Sequence, residues 1–186
     1  MVVSQTAVIE MVISALNEER ISYMIVGSMA ASAYGEIRDT HDMDMVIVLD
    51  VDSMHRLARR LGNEFYFDTE AAEEAVRNVD MFNIIHYASS FKVDFWVLKD
   101  DELSRTQFAR RQSSNAWGTL QAYVESAEDT IISKLLWNQI SPSERQLKDI
   151  AGILKIRKEK LDYSYLRDWA AKKAVLDTLE RLIEEN

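Results

Sequence analysis

Asp42 and Asp44 stand one residue apart at the head of an apolar run, Met45-Val46-Ile47-Val48-Leu49. Asp94 lies inside another, Phe91-Lys92-Val93-Asp94-Phe95-Trp96-Val97-Leu98, and upstream Gly27-Ser28 closes a third, Tyr23-Met24-Ile25-Val26. Ionised carboxylates in segments bound for a core are costly unless something compensates them. A divalent cation answers several anions at once. Side chains on a strand alternate faces, so Asp42 and Asp44 point the same way, with attachment points about 6–7 Å apart. At an effective dielectric of 20, two like charges at that distance repel by roughly 2–3 kcal/mol. Either one carboxyl keeps its proton or a cation is drawn in. Mg²⁺ suits the second outcome, because it takes one or two carboxylates and completes its octahedron with water and substrate phosphates. Asp94 shares its face with Lys92 and Trp96. If its strand neighbours that of Asp42, three carboxylates can hold two metals, and Asp94 could also accept a nucleophile's proton. Glycine at 27 lets a backbone approach a phosphate closely, and Ser28 at a helix N-terminus would meet an anion with free N–H groups. Each piece has a plainer alternative: Asp-Met-Asp as a strand-edge pair with no ligand, Gly27-Ser28 as a strand-to-helix turn with a serine cap.

Those residues need elements to hold them. The periodicity predicts a helix over 4–19, a short buried strand over 22–27 and an alanine-rich helix over 28–35 ending at Gly35. Strands follow at 42–49, 81–87 and 90–98, with helices at 53–62, 69–78 and 101–111. Two short strands near 112–116 and 120–125 suggest a hairpin over Trp117-Gly118-Thr119. From Ser126 the pattern is helical throughout. Ser126-Ala127-Glu128-Asp129 resembles a capping box opening a helix that carries Ile131, Ile132, Leu135 and Leu136 on one face. Ser141 and Pro142 suit the cap and first turn of the next helix, with Glu144 reaching back. Helices near 162–171 and 173–184 finish the chain. The composition shift divides it into a mixed α/β core over 1–125 and a helical subdomain over 126–186.

The chain has 186 residues, 47% of them apolar, with one proline, five glycines, no cysteine and a net charge of −9. That supports a proper core and leaves no disulfide framework or thiolate metal site. No apolar run reaches spanning length and the N-terminus lacks a signal-peptide pattern, so a cytoplasmic protein with no membrane contact is expected. A generic nucleic-acid coat protein would be basic. Charge is uneven: 64–80 is acidic and 145–160 basic, which reads as solvated helix faces, or as a docking face and a phosphate- or RNA-facing patch. His41, His55 and His86 show no ligand spacing and read as structural or surface residues. Trp137 reads as core rather than as a base-stacking platform.

Taken together, Gly27-Ser28, the stretch Arg38-Asp39-Thr40-His41-Asp42-Met43-Asp44, and Asp94 on a later strand resemble the polymerase-beta-like nucleotidyltransferase superfamily. The likeness is to its minimal bacterial and archaeal members, which include drug-modifying enzymes and nucleotidyltransferase toxins. The helical stretch Glu128–Trp137 followed by Ser143–Ile150 is similar to their second half. The resemblance implies a small mixed sheet with flanking helices and a C-terminal helical bundle. It implies transfer of a nucleoside monophosphate from an NTP, ATP among the candidates, to a hydroxyl with release of pyrophosphate. Asp42 and Asp44 match the metal-binding pair and Asp94 the third carboxylate, holding Mg²⁺ or, in its place, Mn²⁺. Gly27 and Ser28 match the phosphate-cradling turn, and Lys134 a basic residue that neutralises the triphosphate. Arg145 and Asp149 match a second helical motif, and Arg38 is a candidate phosphate contact.

Alternatives stay open. Arg38 could pair with Asp39 or a strand end, Lys134 could be a solvated lysine, and Arg145 and Asp149 could bridge on a helix surface. The acceptor could be a small molecule, a protein or an RNA 3′ end. A homodimer or a cognate partner protein is compatible with the pattern. A non-catalytic nucleotide-binding or partner-binding relative would keep the same fold. A sugar-nucleotide transferase would use Asp-x-Asp but needs neither the Gly-Ser turn nor a third carboxylate.

Overall fold

A computed structural model describes residues 3–35, 40–116 and 120–186. The chain runs α1 (Gln5–Glu18), β1 (Ser22–Val26), α2 (Gly27–Tyr34), β2 (Asp42–Val48), α3 (Val51–Leu61), β3 (Phe65–Phe67), α4 (Thr69–Asn78), β4 (Met81–His86) and β5 (Lys92–Val97). It continues through α5 (Glu102–Ala109), β6 (Gln112–Ser114), β7 (Ala122–Val124), α6 (Ala127–Ile140), α7 (Glu144–Arg157), α8 (Tyr163–Lys172) and α9 (Leu176–Glu184). None of the described helices is long and apolar enough to cross a membrane. The expected mixed α/β architecture is what forms.

Two compact units result, Met1–Ile25 with Thr40–Val124, and Val26–Asp39 with Glu125–Asn186. The first carries the seven-stranded sheet, in the order β3-β4-β5-β2-β1-β7-β6. It is mixed: β2 runs parallel to β5 and β1 parallel to β7, while β3–β4, β4–β5 and β6–β7 are antiparallel. Strand alternation sorts the central side chains. Met43, Met45, Ile47, Phe82, Ile84, Val93 and Phe95 are buried, and Phe82 stacks obliquely on Phe95 at 5.2 Å between ring centres. Around this core α3 begins on a reciprocal cap. Asp50 accepts from the Ser53 backbone N–H at 2.7 Å while the Ser53 hydroxyl accepts from the Asp50 N–H. The helix then stops at Gly62.

The second unit packs α2 against α6 and α7. A Cβ on Gly35 would lie 3.2 Å from both the Ala31 carbonyl oxygen and the Ile153 nitrogen, so glycine there permits the close approach of α2 to α7. The cap of α6 forms as its sequence suggests: the Ser126 hydroxyl accepts from the Asp129 N–H at 3.1 Å and donates to the Asp129 carboxylate at 2.7 Å.

Four local readings change. The strand β3 was not anticipated, because three residues are too short to show a period. Helix α7 starts two residues later than Ser141-Pro142 suggests: Ser143 is its N-cap, and its N–H is satisfied by the Asn138 side chain at 2.9 Å. That bond comes from the end of α6, five residues upstream, and accompanies the later start. Ser28 is not a cap, since α2 opens at Gly27 with Val26 as N-cap. Trp137 is about half exposed rather than core, because α6 turns Ile131, Ile132 and Leu135 inward instead. The hairpin's strands β6 and β7 pair, but its turn at 117–119 lies outside the described residues.

Gly62 sits at φ 61°, ψ −148°, a region closed to L side chains, yet nothing stands within 4 Å of where a Cβ would be. Gly62→Ala therefore carries backbone strain alone. It is expected to lower unfolding free energy by about 1–3 kcal/mol in urea titration.

Candidate active site

The β2–β5 ladder places Asp42 opposite Lys92, Asp44 opposite Asp94 and Val46 opposite Trp96. Directly paired residues share a face, so all three carboxylates project from one side of the sheet. The antiparallel β4 adds Asn83 opposite Asp94. The alternate residues of the same strands form the buried core, which is why the polar set cannot slip to the other side. Thr40 steadies the start of β2 by donating its hydroxyl to the Asp42 carbonyl oxygen at 2.6 Å.

Electrostatics on this face are those of an anion cluster. The Asp44 carboxyl is pushed above the ordinary aspartate range, first by burial and then by the charges of Asp42 and Asp94. The Trp96 indole donates to Asp44, and Lys92 pulls in the same lowering direction, without cancelling the rise. Asp94 is buried. Its Oδ2 accepts from Lys92 Nζ at 2.6 Å, and its Oδ1 has no hydrogen-bond partner. Among the described residues no three carboxylate or imidazole side chains are drawn together as a ready cation cage. The donor set nonetheless fits a hard divalent ion: oxygen ligands only, mutual repulsion that a cation would relieve, and one buried carboxylate oxygen lacking a donor.

The remaining candidates lie in the second unit, apart from Arg38, which is outside the described residues. Gly27 holds φ at 67°, a left-handed value that glycine adopts at little cost, and the chain turns there straight from β1 into α2. Ser28 is half-buried in the first turn of that helix. Lys134 is buried on α6, and Nζ donates to Asp149 Oδ2 at 2.7 Å and to Gln146 Oε1 at 3.0 Å. Lys134 is thus no solvated lysine. Arg145 is exposed on α7.

Sequence reasoning passed over two groups. Asn83 is a polar residue among the apolar side chains Met81, Phe82, Ile84 and Ile85 of β4, the only local signal it offered. Glu125 is 2% exposed, and its Oε1 accepts from the Ser133 hydroxyl at 2.7 Å while Oε2 has no partner. Burial pushes its carboxyl up to about 7, with Asp129 adding to the rise and Lys134 opposing it. A lone Glu before a capping serine gave no hint of this.

The sequence matches no protein-family model and no curated protein. Solved structures do match. The solution structure of the antibiotic-resistance factor ANT(2'')-Ia covers all of both chains at 14% identity, with a TM-score of 0.62. A crystal structure of ANT(2'')-Ia with adenylyl-2''-tobramycin matches 92% of this chain and 98% of its own at 12% identity and TM-score 0.56. An antigenic nucleotidyltransferase-like protein from Paracoccidioides brasiliensis matches 96% and 91% at 16% identity and TM-score 0.50. The chain has the polymerase-beta-like nucleotidyltransferase fold, as its motifs resemble.

Two pH-linked outcomes follow. Glu125 is protonated in both folded and unfolded chains below about pH 4.5, and ionised in both above about 7. Between those values only the folded protein keeps the proton, so stability falls as pH rises through the window, by roughly 3 kcal/mol in all. Glu125→Gln should flatten that part of the stability–pH curve measured by urea titration. Asp44 is raised in the same sense, so Asp44→Asn should increase the thermal midpoint of metal-free protein at neutral pH in calorimetry.

Proposed function

We propose that this protein is a divalent-metal-dependent nucleotidyltransferase that moves a nucleoside monophosphate from an NTP to a hydroxyl. The observation that carries the reading is Asp44 in register with Asp94, with Asp42 beside them, on one face of a nucleotidyltransferase-fold sheet. Asp42, Asp44 and Asp94 would hold Mg²⁺ or Mn²⁺. Such an ion, when bound, supplies charge neutralisation at the phosphates and lowers the pKa of a bound hydroxyl. The acceptor oxygen attacks the α-phosphorus, the bond to the bridging oxygen of the β-phosphate breaks, and pyrophosphate leaves. Asp94, with its unpartnered Oδ1, is the group assigned to take the hydroxyl proton. Gly27 and Ser28 are assigned to the phosphates through backbone N–H groups at the start of α2. Lys134 is assigned to the triphosphate charge, its ammonium oriented by Asp149 and Gln146. Arg38 and Arg145 complete the basic set.

The acceptor class tested first is a cationic small-molecule alcohol. A net charge of −9 attracts such a molecule and repels RNA, and ANT(2'')-Ia was crystallised with an adenylylated aminoglycoside. An aqueous cytoplasmic setting fits a chain without cysteine. A non-catalytic relative is the second reading, favoured by the Lys92 ammonium already seated on Asp94.

Purified protein incubated with each α-labelled NTP, Mg²⁺, an aminoglycoside panel and cell extract should transfer label to one size class. Asp42→Asn and Asp44→Asn should reduce transfer by at least about 100-fold with unchanged circular dichroism. Equal transfer by Asp44→Asn protein would sink the assignment. NTP binding without pyrophosphate release on any acceptor would favour the second reading.

A further inference from the structure

Lys92 occupies the carboxylate face itself. It stands opposite Asp42 in the β2–β5 ladder and two residues before Asp94 on the same strand, so its stem rises among the three acids. The pair it makes is unevenly covered: the Lys92 side chain is 40% exposed and that of Asp94 only 9%. A strand lysine with that much exposure ordinarily extends its ammonium to water. Here Nζ instead turns inward, 2.6 Å from Asp94 Oδ2, the most enclosed carboxylate of the set. The contact leaves Asp94 Oδ1 without a donor, so the ammonium serves half of a group able to accept from both oxygens. Three carboxylates and one lysine leave two negative charges on the face, the amount that one divalent cation balances.

We propose that Lys92 is a tethered stand-in cation that holds Asp94 while no metal is bound and competes with the divalent ion for that carboxylate. Metal loading is then an exchange: the ammonium leaves Asp94 Oδ2 and swings toward solvent along its flexible four-carbon stem. Lysine suits this role because a compact, strongly hydrated ammonium is released to water more readily than the planar fork of an arginine. The consequence is a loading threshold, with the carboxylate face taking up metal only at concentrations that displace its own side chain. The inference rests on the metal-binding reading given above and assigns Lys92 a place in it.

The test is Mn²⁺ titration of the full chain without nucleotide, followed by electron paramagnetic resonance, together with melting in chelator. Lys92→Met should bind Mn²⁺ about tenfold more tightly than wild type and melt at a lower temperature in chelator. Lys92→Arg should bind Mn²⁺ no more tightly than wild type, and Asp44→Asn should lose binding. If Lys92→Met does not fold in chelator, Lys92→Gln keeps a donor for Asp94 without the charge and carries the same comparison. Unchanged or weaker Mn²⁺ affinity in the uncharged variant, with binding still lost in Asp44→Asn, overturns the exchange and leaves the metal site standing. Mn²⁺ binding that Asp44→Asn leaves intact removes the metal site and the exchange with it. Tighter binding by Lys92→Met in a protein that transfers no label supports the exchange while the nucleotidyltransferase reading fails.

Discussion

Like charges on one face of a sheet must be answered by something. Asp42, Asp44 and Asp94 are brought side by side by the β2–β5 register, with Asp94 buried and Asp44 mostly shielded from water. Repulsion at strand spacing is several times thermal energy at protein-like dielectric. The metal-free protein spreads the cost: a lysine partners Asp94, an indole donates to Asp44, and the Asp44 proton is held more firmly. None of these devices removes the imbalance. A face arranged in this way is less stable than an apolar one would be, and that is the usual mark of a site kept for chemistry.

The second unit handles buried charge differently. Lys134 donates to both Asp149 and Gln146, and Asp129 accepts from its own cap serine and from the Tyr165 hydroxyl at 2.5 Å. Glu128 in turn accepts from the Asp162 N–H at 3.0 Å, tying the start of α6 to the start of α8. Ion pairs this enclosed add little net stability, but removing one partner is costly. Their physical effect is to fix the orientation of an ammonium that an exposed lysine would let wander. Glu125 is the exception, with one oxygen satisfied and the other bare, and burial pushes its carboxyl up to about 7.

Much of the architecture was legible. Elements with a clear apolar pattern, such as α1 and α3, carry their own signal, and the caps at Ser126 and Gly62 are local chemistry. What escaped was decided by partners outside the segment itself. The strand β3 exists because Phe65–Phe67 pairs with Ile84–His86, and three residues cannot announce that alone. The later start of α7 goes with the bond from Asn138, five residues upstream. Trp137 faces outward because neighbouring residues of α6 occupy the inward face.

By itself the sequence determined that Asp42 and Asp44 share a face, since alternation is a property of any strand. It also determined that a glycine opens the turn into α2, and that Lys134 and Asp149 lie on successive helices. Only the tertiary structure decided that Asp94 stands level with Asp44 rather than one residue off, because ladder register is set by pairing between residues fifty positions apart. It alone decided that α2 packs with α6 and α7, and that Lys92 turns inward. Those outcomes depend on which surfaces meet, and no local run of residues encodes its own neighbour.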